Sequence, residues 1–129
     1  MRPPYQTQAT AVGGRDGRAT SVDGALRVRL GEDGTNPEQL FAAAYAACFL
    51  NNIRRVAARS GIAITDDSNV TATVGLIPDD GGSRLTVTLA IDLPGLTAEQ
   101  ARDVAERAHM ACPYSGAVRG NVEVRLSLE

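Results

Sequence analysis

Two cysteines stand in contrasting company. Cys48 lies in "LFAAAYAACFL", residues 40–50, where almost nothing is polar, and Cys112 lies in "HMACPYS", residues 109–115. A thiol can act as nucleophile, redox partner or metal ligand, yet a free cysteine in an apolar helix more often packs as a small hydrophobe. His109, three residues before Cys112, raises the question of zinc. A structural zinc site needs four ligands, and one histidine with two cysteines lacking CxxC spacing does not supply them. No metal is expected, and His109 reads as a helix residue bonded to backbone or water. "GGRDGR", residues 13–18, sets two arginines on a glycine-rich segment and is, alone, most simply a turn. "CPYS" alone is a helix stop. Taken singly, these segments leave packing and chemistry both open.

The chain that must position them has 129 residues, 43% hydrophobic and 22% charged. That suits a single domain, 1–129, with a core of ordinary size. The formal net charge is −2, the arginines are scattered and lysine is absent. Such a balance gives no electrostatic basis for binding nucleic acid or an anionic membrane. "MRPPYQTQ" lacks the apolar segment of a signal peptide. The apolar run of residues 40–50 falls well short of the ~20 residues that span a bilayer. A cytoplasmic location is expected, with both cysteines reduced at rest.

Period-two alternation predicts strands over 5–12, 24–30, 69–77, 84–93 and 121–128. In "LTVTLAIDL", Leu85, Val87, Leu89, Ile91 and Leu93 share one face, and "PDDGGS" (78–83) predicts a hairpin with the preceding strand. A first helix starts at "TNPEQ", with Asn36 as N-cap and Pro37 at N1, and runs to about Ser60. Its first half is apolar on every side, as in a helix covered all round. A second helix opens with the capping box "TAEQ" (97–100), carries a stripe of Ala101, Val104, Ala105, Ala108 and Ala111, and stops at Pro113. The predicted order is β-β-α-β-β-α-β, an α+β domain. A subunit this small cannot easily cover the first helix on all sides, so a homodimer with a large apolar interface is expected.

Together and in this order, "GGRDGRA", "TNPEQLFAAAYAACF" and "HMACPYS" resemble the organic hydroperoxide resistance branch of the osmotically inducible protein C superfamily, from about Ala9 to Leu128. The resemblance implies an OsmC/Ohr-like fold, an intertwined homodimer with a buried central helix, and a thiol-dependent peroxidase acting on alkyl and fatty-acid hydroperoxides. By that resemblance Cys48 attacks the peroxide and Cys112 resolves the sulfenic acid. Arg15 holds the thiolate, and Glu38 orients Arg15. It further implies no bound cofactor and an external dithiol, typically a lipoylated protein, as reductant. Two departures stand out: "GEDGT" (31–35) is shorter than usual for the family, and Ala46 stands where serine is common.

The residue types suit that chemistry. Cleaving a peroxide takes a thiolate, whereas apolar burial raises a thiol's pKa. Cys48 lies eleven positions past Pro37, beyond the helix N-terminal field. A cation must therefore come to it, and arginine stays protonated and presents several donors. Glu38 would pair that arginine, with Asp16 and Asp23 as competitors and Arg18 as the next cation. Phe41, Tyr45 and Phe49 offer an apolar lining that favours a peroxide with an organic half over hydrogen peroxide. Cys112 continues the second helix's stripe, and the helix C-terminus favours its protonated form. Two other readings remain. A general thiol–disulfide oxidoreductase would normally carry CxxC, absent here. A small-molecule or lipid carrier would make the cysteines incidental and the apolar cavity the working part.

Overall fold

A computed structural model describes residues 3–129, which fall into two units, one ending at Leu40 and one running from Phe41 to Glu129. In the first unit, β1 (Ala9–Val12), β2 (Arg18–Ser21) and β3 (Arg27–Arg29) form an antiparallel sheet in that order. Glycine makes the β1–β2 turn possible. Gly13 has φ +86°, and a Cβ on Gly17 would collide with the Val12 carbonyl oxygen. The β2–β3 turn is closed by Asp23, which accepts from Ser21 Oγ at 2.7 Å and from the Ala25 N–H at 3.0 Å. The 31–35 segment folds back, the Thr35 N–H reaching the Arg29 carbonyl at 2.8 Å.

The predicted strand 5–12 forms only over its last four residues and 24–30 only over 27–29, and β2 lies where no strand was predicted. Four residues, "RATS", are too few and too polar to show a period; pairing on both sides makes them a strand.

Helix α1 (Pro37–Arg59) starts as predicted, Asn36 Oδ1 accepting from the Gln39 N–H at 2.8 Å. Its buried positions, Tyr45, Phe49, Asn52, Ile53, Val56 and Ala57, form one stripe at three- and four-residue spacing. Within this single chain the apolar run is covered on one side only, with Ala43 and Ala47 exposed. In the second unit β4 (Asn69–Asp79) and β5 (Gly82–Asp92) form the predicted hairpin, with Asp80 and Gly81 at its tip. β6 (Val124–Leu128) pairs with β5 in parallel. Val87, Leu89, Ile91 and Leu93 are buried against the α1 stripe and the stripe of α2 (Ala98–Ala111). Each such side chain, fully buried, contributes about 1.5–3 kcal/mol.

The capping box of α2 is present in both directions, Thr97 Oγ1 accepting from the Gln100 N–H and Gln100 Oε1 from the Thr97 N–H. Its stripe departs from prediction at the end: Ala111 is exposed, and Cys112, 1% exposed, takes the core position. Pro113 stops α2 but also starts a short α3 (Pro113–Val118), so the observed order is β-β-β-α-β-β-α-α-β. The α+β class stands with two short elements added. No helix among the described residues is long and apolar enough to cross a membrane.

Candidate active site

The second unit brings the two cysteines together. Cys48, half-buried on α1, and Cys112, buried at the α2–α3 corner, are both free thiols with Sγ atoms 3.7 Å apart, Cys112 donating. They are 64 residues apart in sequence. Pro113 explains the corner: the residue before proline avoids the helical region, and Cys112 has φ −67° and ψ 123°. The chain therefore leaves α2 at Cys112 and re-enters a helix in a new direction. Burial pushes the Cys48 thiol up, and the hydrogen bond with Cys112 and then the charge interaction with it add to this; the Tyr114 backbone N–H acts in the opposite sense.

A buried hydroxyl network flanks the thiols. Ser115 Oγ lies 2.6 Å from Tyr45 Oη and 2.8 Å from His109 Nδ1, with Tyr45 and Ser115 fully buried. His109 Nδ1 thus meets a side chain, where the sequence pointed to backbone or water. Its carbonyl accepts from Arg119 Nη2 at 2.7 Å. Burial, then the charge of Arg119, lowers the His109 pKa and favours the neutral ring. Burial also raises the Tyr45 pKa, against the pull of its Ser115 hydrogen bond.

In the first unit, Arg15 at the tip of the β1–β2 turn meets Glu38 in the first turn of α1. Arg15 Nη2 donates to both carboxylate oxygens, at 2.8 and 2.7 Å. The competitor Asp23 is occupied in its own turn. Arg15's hydrogen bond and charge hold the Glu38 carboxyl below its ordinary range against some desolvation, and the same hydrogen bond and charge raise Arg15. The Arg15 side chain is 59% exposed. An ion pair that open to solvent adds little stability. The pairing occupies one of three guanidinium nitrogens.

The family model for OsmC-like protein matches residues 30–127. The organic hydroperoxide resistance protein of Xanthomonas axonopodis pv. citri is 43% identical over 133 residues, covering 96% of this chain and 94% of its own. Among solved structures, OhrB of Bacillus subtilis superposes with a TM-score of 0.90 at 43% identity, covering 97% of this chain and 98% of its own. An organic hydroperoxide resistance protein from Legionella pneumophila gives 0.93 at 41%, covering 99% of both. The chain belongs to the OsmC-like family, in its organic hydroperoxide resistance branch.

In this OsmC-like chain the three aromatic candidates part company. Tyr45 and Phe49 are fully buried and offer no surface to a ligand: Tyr45 packs on Phe41 and Tyr114, and Phe49 on His109. An aromatic beside a cysteine in sequence is equally fit for core or lining, and packing decided for core. Phe41, partly buried, lines an apolar cavity of about 230 Å³ with Tyr114, Ala117 and Val118. Sequence reading missed Ser115, Tyr114 and Asn52, whose Nδ2 donates to the Cys48 carbonyl at 2.9 Å. The signal for Asn52 was available: a polar residue on an apolar stripe, one turn past the cysteine.

Proposed function

We propose that this chain is a thiol-dependent peroxidase that reduces organic hydroperoxides and serves in organic hydroperoxide resistance. The observation that carries the reading is the 3.7 Å separation of Cys48 and Cys112. The Cys48 thiolate attacks the outer peroxide oxygen. The S–O bond forms as the O–O bond breaks, and the departing alkoxide takes a proton to become the alcohol. Cys48 is left as a sulfenic acid. The Cys112 thiol condenses with it, forming a disulfide and releasing water. An external dithiol, in this reading a lipoylated protein, then supplies two electrons and two protons to restore both thiols. No bound cofactor takes part.

In this reading Arg15, aimed by Glu38, supplies the cation that an apolar helix interior cannot. The organic half of the substrate occupies the apolar cavity beside Phe41 and Tyr114. The working form is a cytoplasmic homodimer whose partner covers the exposed side of α1 at Ala43 and Ala47. Titrating free thiols before and after one equivalent of tert-butyl hydroperoxide tests the reaction. Loss of two thiols per chain is expected; no loss would leave the carrier reading in its place.

A further inference from the structure

Asn52 is the side chain the core has least reason to hold. It lies on the buried stripe of α1 at 6% exposure, next to Ile53. Asparagine is a poor helix former, and burying an amide is costly unless it is bonded, so leucine would suit the position better on both counts. What it touches is Cys48: Nδ2 is 2.9 Å from the Cys48 carbonyl oxygen and 3.9 Å from Cys48 Sγ. The carbonyl can only accept, which decides that the NH₂ end of the amide faces Cys48. The bond to the carbonyl thus holds a donor nitrogen 3.9 Å from the sulfur whatever the sulfur's charge. A donor so held gains most from an anion, because charge-assisted hydrogen bonds are roughly twice as strong as neutral ones.

We propose that Asn52 stabilises the thiolate of Cys48, its amide locked by the Cys48 carbonyl so that an N–H is held on Cys48 Sγ. The proposal rests on the peroxidase reading, in which the thiolate is the reacting species. The groups acting on Cys48 from the elements around it are Tyr45 on α1, Cys112 at the α2–α3 corner and the Tyr114 backbone N–H on α3. Both titratable neighbours disfavour a further negative charge. Asn52 is a side-chain donor on α1 itself, already in place before any cation arrives.

The test uses the full chain with Cys112→Ser, whose hydroxyl keeps a donor beside Cys48 and leaves one thiol to react. Iodoacetamide alkylation is followed against pH with Asn52 present, then as Asn52→Leu and Asn52→Ala, each checked for fold by circular dichroism. The midpoint should rise by about half a unit in both variants, slowing alkylation at pH 7 about threefold, with the high-pH plateau unchanged. An unchanged midpoint in a folded variant overturns the proposal. Loss of fold in both variants also overturns it, assigning the amide to architecture alone. Turnover of tert-butyl hydroperoxide by the unsubstituted chain with dihydrolipoamide is measured alongside. Its absence would sink the peroxidase reading while the alkylation midpoints still decide Asn52.

Discussion

Cys48 and Cys112 carry unequal parts of the proposed reaction, and substitution should separate them. Cys48→Ser should abolish hydroperoxide consumption in a coupled assay. Cys112→Ser should still react once, and under excess peroxide its unresolved sulfenic acid should advance to sulfinic acid. Intact-mass spectrometry should then find two added oxygens; unmodified protein would contradict the roles. Arg15 is tested through ionisation. Burial pushes the Cys48 thiol up, so removing the cation proposed to oppose it should push the thiol further. Each unit of rise costs about tenfold in thiolate fraction below the pKa. Arg15→Ala should shift the pH–rate profile to higher pH, with Arg15→Lys recovering part because it lacks the planar fork. An unmoved profile in Arg15→Ala would hand the cation's role to Arg18. At this scale the sequence carried the candidates well, since residue types limit chemistry. It carried the partner of His109 and the burial of Tyr45 and Phe49 poorly, because those depend on how α1, α2 and α3 pack together.

The α2–α3 corner holds the serine that joins Tyr45 to His109. The His109 pKa lies below its ordinary 6.5, chiefly through burial. The folded chain therefore prefers the neutral ring, and in this window the unfolded chain binds more protons. The stabilisation is full above about pH 6.5 and is lost as pH falls through the lower, folded pKa. Replacing the ring by His109→Gln should remove that dependence. Urea midpoints of the two proteins should differ more at pH 7.5 than at pH 5. A difference that stays constant with pH would show that ring charge is immaterial to the corner. The long elements were legible because each repeats its pattern several times: α1 and α2 begin at their predicted caps, and β5 buries the predicted face. β2 and α3, four and six residues long, repeat too little to register. The parallel pairing of β5 and β6 leaves no mark in a period-two pattern.

For the whole molecule, the distance along α1 bears on how many chains a site needs. Glu38 and Cys48 are ten residues apart on α1, about 15 Å along the axis at 1.5 Å per residue. A single guanidinium bonded to Glu38 cannot also reach a thiolate that far along the same helix. If the α1 helices of two protomers pair antiparallel, Glu38 and Arg15 of one protomer lie beside Cys48 of its partner. Purified heterodimers of an Arg15→Ala chain with a Cys48→Ser chain should then regain one working site, about half the activity per dimer. Activity no higher than that of the Arg15→Ala homodimer would confine each site to one chain.

The sequence by itself determined the family, the α+β class, the helix starts and the residues able to do thiol chemistry. These follow from local rules and residue chemistry: caps, hydrophobic period, and the few side chains that can ionise or attack. Only the tertiary structure decided that Cys48 and Cys112 meet across 64 positions, that Arg15 takes Glu38 while Asp23 closes its own turn, and that Asn52 bonds to Cys48. Those contacts arise from the packing of α1 against the α2–α3 corner and from the closure of two glycine- and serine-bound turns. Distances of that kind are set by packing between elements, which no local pattern encodes.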